Sequence, residues 1–204
     1  EQALQRSKAR GATWQVLGQQ VLMGKLNIPV IPPEELAKLE LPEYARPRVA
    51  QTQQLAPYGL PSNLDAWDGY PAARERLFAM LTAYATNPIS LAGDTHNGWA
   101  FNRTNQKGEA VGVEWGTPGV SSPGPENYVP LPPEQMQALL KGASPELVAC
   151  DTSQRGWTRV TLTPEAATAR WQFVSSVVDP TYETKQGLEL VARAGQARLD
   201  TEPA

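Results

Sequence analysis

The chain has 204 residues, enough for one domain or a large part of one. Hydrophobic residues make up 41% of it, so a core can form, and a net charge of −3 with both signs interspersed gives no sign of nucleic-acid binding. No apolar run approaches the roughly 18 residues of a membrane span, and a single cysteine excludes an internal disulfide.

The first third of the chain combines a short helix with a long proline-rich segment. Residues 1–9 have a helical pattern with no capping residue before it, so we expect a fragment of a longer protein; a helix with a trimmed start is the alternative. Residues 14–23 predict a strand. Residues 24–67 carry many prolines and predict irregular structure with one short helix at 33–39. Such long segments are usually lids, binding loops or disordered, and the aromatic residues here argue against full disorder.

The remaining pattern alternates helices with short strands, which is typical of an α/β fold. The clearest helix covers residues 71–85, where a proline occupies the first turn and apolar side chains recur at helical spacing. A shorter helix is predicted at 134–141, and weak periodicity at 179–204 predicts a tail or a short helix. The predicted strands are 89–92, a strand containing Trp99 and Phe101, 110–115, 157–162 and 169–178.

The only histidine, His96, ends the sequence Gly-Asp-Thr-His at 93–96, directly after the predicted strand at 89–92. Open α/β sheets place their ligand chemistry at the carboxyl ends of strands. Asp94 and His96 are two residues apart, so in extended backbone their side chains face the same way. An oxygen ligand with an imidazole suits Zn, Fe or Mn. The stretch therefore indicates part of a metal site, and an ordinary surface loop is the alternative.

Three other residues are further candidates for contact with a substrate or with the metal ligands. The amide of Asn97 can order a ligand or close a turn. Asp68 and Tyr70 lie in the stretch 63–71, which is dense in turn and aromatic residues and also contains Asp65. The structural interpretation, which these residue types favour, is that this stretch makes a turn, fills the core with its tryptophan and places charge near the next helix.

For two other residues, a role outside the chemistry is favoured. Cys150 lies in an apolar stretch with no base nearby, which predicts a buried, unreactive thiol. Arg74 lies off the apolar stripe of the helix at 71–85, which predicts a solvated side chain, and anion binding is the alternative. No P-loop, dinucleotide fingerprint or Gly-x-Ser-x-Gly elbow occurs in the sequence.

Taken together, these stretches resemble the C-terminal half of PhoD-like alkaline phosphatases, a branch of the calcineurin-like metallophosphoesterases. The combination of Trp-Asp-Gly-Tyr-Pro at 67–71 with Gly-Asp-x-His at 93–96 is specific. The resemblance covers residues 1–178 and implies the C-terminal half of a four-layer αββα sandwich with mixed sheets, metals at the strand ends and residues 24–67 as a lid or insertion. The matching stretches are 7–9 with 14–21, 65–77, 91–100, 111–124 and 155–174.

The resemblance also implies which residues bind the metals. Asp94 and His96 correspond to the family's last metal-binding motif. The family's earlier ligands, an aspartate-and-cysteine stretch and an Asp-Asp-His-Glu-like motif, have no counterpart here and would precede Glu1. Cys150 does not occupy the position of the family's metal-binding cysteine. The implied metals are iron with calcium, with Zn or Mn as alternatives.

The activity that the resemblance implies is metal-dependent hydrolysis of phosphate mono- or diesters by the parent protein. Since Asp94 and His96 cannot hold two metals by themselves, the chain alone is expected to be inactive, and its expected partner is the N-terminal half of the same protein. A non-catalytic module that keeps the family's C-terminal fold is the alternative from another class, and a hydrolase of different specificity is a third possibility. The resemblance implies a periplasmic or secreted protein.

Overall fold

The computed structural model describes residues 1–200, which form five α-helices and eight β-strands. The helices are α1 (Gln2–Ala9), α2 (Pro33–Leu36), α3 (Arg46–Leu55), α4 (Pro71–Tyr84) and α5 (Pro133–Ala143). The strands are β1 (Gln15–Gly18), β2 (Pro88–Ala92), β3 (Gly98–Thr104), β4 (Ala110–Gly116), β5 (Leu147–Asp151), β6 (Gly156–Leu162), β7 (Ala166–Val174) and β8 (Thr184–Arg193).

The larger sheet contains five strands in the order β1-β2-β4-β3-β5. Strands β1, β2 and β4 are parallel to one another, whereas β3 runs antiparallel to both of its neighbours. The carboxyl ends of β1, β2, β4 and β5 therefore share one edge of the sheet, where β3 begins. We call this edge the carboxyl edge, and the chain leaves it after Gly18, Ala92, Gly116 and Asp151.

The smaller sheet is antiparallel, with the order β6-β7-β8, and it packs on one face of the larger sheet. Period-two alternation along β7 supplies this interface, because Ala169, Trp171 and Phe173 share the buried face of the strand. Helices α4 and α5 cover the other face of the larger sheet. The described residues thus form a helix layer and two sheet layers, which confirms the predicted α/β class with two sheets. No helix among them is both long and apolar enough to cross a membrane.

Several predicted elements are present with shifted ends, and two strands are additions to the prediction. Strand β5 was not predicted, and residues 184–193, expected to belong to a tail or a short helix, form strand β8 instead. Strand β8 escapes sequence analysis because its outer face is exposed and a glycine at 187 interrupts its alternation. The last four residues of the predicted tail, 201–204, lie outside the described part of the chain.

Strand β1 ends at Gly18, five residues before the predicted end, because the chain then turns away from the sheet. The backbone N–H groups of residues 23–27, which we call the amide row, are fixed by side chains. Each of the five donates to a side-chain oxygen at 2.6–3.0 Å. The acceptors belong to four residues that are distant in the sequence, so these bonds fix the start of the proline-rich segment against the rest of the fold. They are Glu114 for residues 23 and 24, Glu146 for 25, Asp68 for 26 and Ser144 for 27.

The expected solvation of Arg74 is wrong, because its side chain is only 2% exposed. Its guanidinium donates to Glu146 at 2.7 Å and to the backbone oxygens of Met23 and Thr104, and it lies 4.2 Å from the ring centre of Phe78. A buried arginine needs partners of this kind, since an unpaired charge in the interior is costly. The partner Glu146 lies 72 positions away, beyond the reach of any helical pattern.

Candidate metal centre

The Gly-Asp-Thr-His turn at 93–96 leaves the carboxyl edge between β2 and β3. Asp94 and His96 have φ values of +74° and +64°, and they are the only non-glycine residues with positive φ in the described chain. The extended backbone assumed above is therefore wrong for this turn. Left-handed backbone is unfavourable for residues with a Cβ atom, and such strain concentrates at functional sites. The turn thus holds its two candidate ligands in a costly conformation.

His96 has a defined orientation and tautomer. Its Nδ1 lies 2.7 Å from the backbone oxygen of Pro123, in the loop that follows β4. Since a carbonyl oxygen only accepts, Nδ1 donates in this hydrogen bond, and in the neutral imidazole the other nitrogen, Nε2, then has the free lone pair. Histidine ligands in proteins characteristically donate their other N–H to a carbonyl or carboxylate in this way. His96 is partly exposed and therefore has a ring nitrogen that is able to bind a metal.

Asp94 is solvent-exposed and lines a small cleft together with Asp68 and Thr95. Thr95 also lines the large cavity on which His96 lies, so the turn stands between the two spaces. Its hydroxyl accepts a hydrogen bond from Trp99 Nε1 at 2.5 Å, which fixes the turn to β3. An exposed carboxylate at this place is able to take a metal without breaking an internal ion pair.

Asn97 is fully buried, and neither polar atom of its side chain has a hydrogen-bond partner among the described residues. The turn-closing alternative therefore lacks the hydrogen bond it would need. The amide lies against Gly124, where an added Cβ would be 2.5 Å from Asn97 Oδ1, and Glu126 Oε2 beside it is also buried without a partner. Buried polar atoms without partners are rare in folded proteins, so these two groups are candidates for contact with a ligand.

The other predicted candidates divide between the turn and a separate place. The Asp68 carboxylate accepts from Leu26 N at 2.9 Å in the amide row, and burial raises the pKa of Asp68. Asp68 nevertheless shares the small cleft with Asp94. Tyr70 is 57% exposed and lines a different depression with Asp65, which neither candidate ligand reaches. The tryptophan of this stretch packs against the core under α4, as its structural interpretation predicts.

Residues 1–171 match the sequence profile of a family described as PhoD-like phosphatase. The chain belongs to the PhoD-like phosphatase family. It is 29% identical to Alkaline phosphatase D of Bacillus subtilis (strain 168) over 125 residues, which are 58% of this chain and 20% of that protein. It is also similar in fold to a solved structure of PhoD, with a TM-score of 0.66 and 21% identity over 98% of this chain and 33% of the other. The chain thus spans at most about a third of these relatives.

Among residues 1–200 of this PhoD-like chain, no group of three or more His, Cys, Asp and Glu side chains is arranged to hold a metal. The candidate ligands Asp94 and His96 therefore belong to no complete ligand set within residues 1–200. Cys150 does not extend the set, because it is buried and its burial raises the pKa of the thiol to about 12. The predicted buried thiol is confirmed.

The residues that surround His96 are absent from the sequence-based prediction. Glu126 pairs with Arg155 and accepts from Gly124 N at 3.0 Å, which fixes the loop that carries Pro123. A cavity of about 570 Å³ lies beside His96, and helix α3 forms part of its wall. Neither feature had a sequence signal, because α3 lies in the proline-rich segment and the paired Glu126 and Arg155 are 29 positions apart.

Proposed function

We propose that the protein to which this chain belongs hydrolyses phosphate mono- or diesters with the help of bound metal ions, and that Asp94 and His96 are metal ligands. The observation that carries the proposal is the bond from His96 Nδ1 to the oxygen of Pro123, which leaves Nε2 available beside an exposed aspartate. The parallel strands of the larger sheet bring this turn to an edge where α/β proteins bind ligands. Membership of the PhoD-like phosphatase family supports phosphate esters as the substrate class.

Four candidate residues have separate tasks in this proposal. His96 supplies a nitrogen held in place by the 122–129 loop, and Asp94 supplies an anionic oxygen. Asn97 and Asp68 lie close enough to this turn to orient a substrate or a ligand side chain. Metal ions bound here would bind the phosphate, lower the pKa of a water molecule and stabilise the leaving oxygen. By family resemblance the metals are iron with calcium, and Zn or Mn are alternatives that suit the same donors.

The remaining ligands are proposed to come from residues outside 1–200, in the N-terminal half of the same protein. A phosphoesterase centre with two metals needs about four to six ligands for each ion. The described residues provide Asp94 and His96. A secreted or periplasmic location is proposed on the family resemblance alone.

The proposal is tested in the complete protein with Asp94→Ala and His96→Ala. We expect each variant to lose more than about a hundredfold in the rate of p-nitrophenyl phosphate hydrolysis, because a lost ligand typically costs far more than a lost outer contact. Circular dichroism should show the fold unchanged. Asp65→Ala, an exposed aspartate on the separate depression, is the matched control and should keep its activity.

Full activity and full metal content in both ligand variants would contradict the proposal. A complete protein that is folded and metal-free, and that hydrolyses no phosphate ester, would instead favour a non-catalytic binding module with the same fold. A substrate panel on the active protein would reveal a hydrolase of different specificity, since a fold does not determine its substrate.

A further inference from the structure

A cavity of about 570 Å³ lies beside His96. This size is within the range of pockets that bind small organic ligands. Four parts of the chain form its wall: residues 26–62 of the proline-rich segment, residues 95–99, the loop at 122–129 and helix α5. The side chains that line it are mainly apolar, and the buried ones include Ile31, Ala45, Val49, Trp99, Met136 and Leu140.

Several of the polar side chains in the wall are occupied by bonds within the protein. Gln53 accepts from Ile31 N and donates to Pro29 O, and Trp99 Nε1 donates to Thr95. Thr52 donates to the oxygen of Arg48 one turn earlier in α3. Since these groups are already paired, the interior offers little to a polar ligand, and it favours a group that loses water on entry.

Two parts of the cavity wall carry polar or charged side chains. His96 forms part of the wall, so the cavity begins at the candidate metal ligand. Arg48 and Tyr128 are exposed and also line the cavity, which places them where it meets solvent. The Arg48 guanidinium lies 6.0 Å from the ring centre of Tyr128, and a cation at this position favours an anionic substrate.

We propose that this cavity binds an apolar organic group of a phosphodiester, namely the alcohol that is not the leaving group, while the phosphate lies at Asp94 and His96. The inference rests on the proposed function and names its substrate class. An alkyl or aryl alcohol suits this cavity, because it contacts the apolar wall and needs no hydrogen bonds from it. A sugar alcohol would bring in hydroxyl groups, and Thr52 and Gln53 in the wall already use their hydrogen bonds within the protein. The preferred substrates are therefore diesters of apolar alcohols.

The experiment measures kcat/KM of the complete protein for p-nitrophenyl phosphodiesters whose second alcohol is methanol, butanol or octanol. The leaving group is the same throughout, so differences report binding of the alkyl group. Each methylene that becomes buried should raise kcat/KM by about fourfold, until the chain exceeds the cavity. A flat series, or a fall with chain length, would overturn the inference.

A variant pair tests whether the effect arises in this cavity. Thr52→Trp fills the space from α3, and Ala50→Trp places the same side chain on the exposed side of the same helix. We expect Thr52→Trp to abolish the gain from methyl to octyl, whereas Ala50→Trp keeps the gain. An unchanged gain in Thr52→Trp would overturn the assignment to this cavity.

Calorimetric titration with octylphosphonate and methylphosphonate separates the two proposals. Binding of octylphosphonate that Thr52→Trp removes, in a protein that hydrolyses no phosphate mono- or diester, would leave the cavity assignment standing and contradict the proposed function. Hydrolysis of all three diesters at equal rates, with equal binding of both phosphonates, would leave the proposed function standing and contradict the cavity assignment.

Discussion

At the scale of single residues, the candidate ligand Asp94 carries a conformational cost that glycine would not have. Its φ of +74° belongs to the left-handed region, where a Cβ costs about 1–2 kcal/mol. We therefore expect Asp94→Gly to be more stable than Asp94→Ala by about 1 kcal/mol, while both variants lose metal binding. Urea denaturation of the two variants side by side provides the measurement.

The control for this comparison is Asp65, which lies outside the left-handed region. Asp65→Gly should be no more stable than Asp65→Ala. Equal free energies of unfolding for the two Asp94 variants would show that the turn carries no strain. The left-handed backbone of Asp94 could then not be explained as strain that is retained for function.

Cys150 provides a second test at this scale, and it concerns the core. Burial raises the pKa of the thiol to about 12, so almost none of it is thiolate at pH 8. We expect no labelling of the native protein by iodoacetamide at pH 8 over an hour, and one equivalent of label in 8 M urea. Rapid labelling of the folded protein would contradict the placement of β5 in the core.

At the scale of elements, the buried pair of Arg74 and Glu146 connects α4, β3 and the amide row. Glu146→Ala leaves the arginine charge buried without its partner, which should cost about 3–5 kcal/mol of unfolding free energy. The double variant with Arg74→Met should cost less than the sum of the two single changes, because the unpaired charge is gone. Additive losses would mean that the two residues do not act as a pair.

A control is available on the same arginine. Glu75 lies 3.8 Å from Arg74 and is more exposed than Glu146, so Glu75→Ala should cost about 1 kcal/mol or less. A loss as large as that of Glu146→Ala would show that the effect comes from the arginine environment in general. The measurement in each case is equilibrium denaturation.

The proline-rich segment is proposed to act as a lid over the candidate site, because its residues form much of the cavity wall next to His96. Hydrogen exchange of the complete protein should show slow amides at 23–27, where side chains hold each N–H, and faster amides across α3. Adding phosphate should slow exchange in α3. Uniformly fast exchange across 24–67, with and without phosphate, would contradict both the amide row and the lid.

The parts of the fold that can be predicted from the sequence are those whose pattern lies in consecutive residues. Helix α4, strand β2 and the Gly-Asp-x-His turn each follow from residues that are neighbours in the chain. Contacts between distant positions cannot be predicted in this way. The bond from His96 to Pro123 spans 27 residues, and the burial of Arg74 depends on Glu146, 72 residues away. The left-handed backbone of Asp94 had no signal either, since aspartate tolerates several turn conformations.

At the scale of the whole molecule, one helix layer and two sheet layers place the candidate ligands at the carboxyl edge of the larger sheet. The described residues contain no group of three or more metal-binding side chains around these two candidates. It spans about a third of the PhoD structure that it resembles in fold. We therefore expect the isolated 204-residue chain to show no hydrolysis of p-nitrophenyl phosphate above that of the Asp94→Ala, His96→Ala double variant.

The most direct test of the central claim is anomalous diffraction from a crystal of the complete, metal-loaded protein. The account predicts an anomalous peak within about 2.0–2.2 Å of His96 Nε2 and of a carboxylate oxygen of Asp94, with His96 Nδ1 still bonded to the oxygen of Pro123. A fully loaded protein whose metal peaks all lie more than about 4 Å from both side chains would contradict it, because neither residue would then be a ligand.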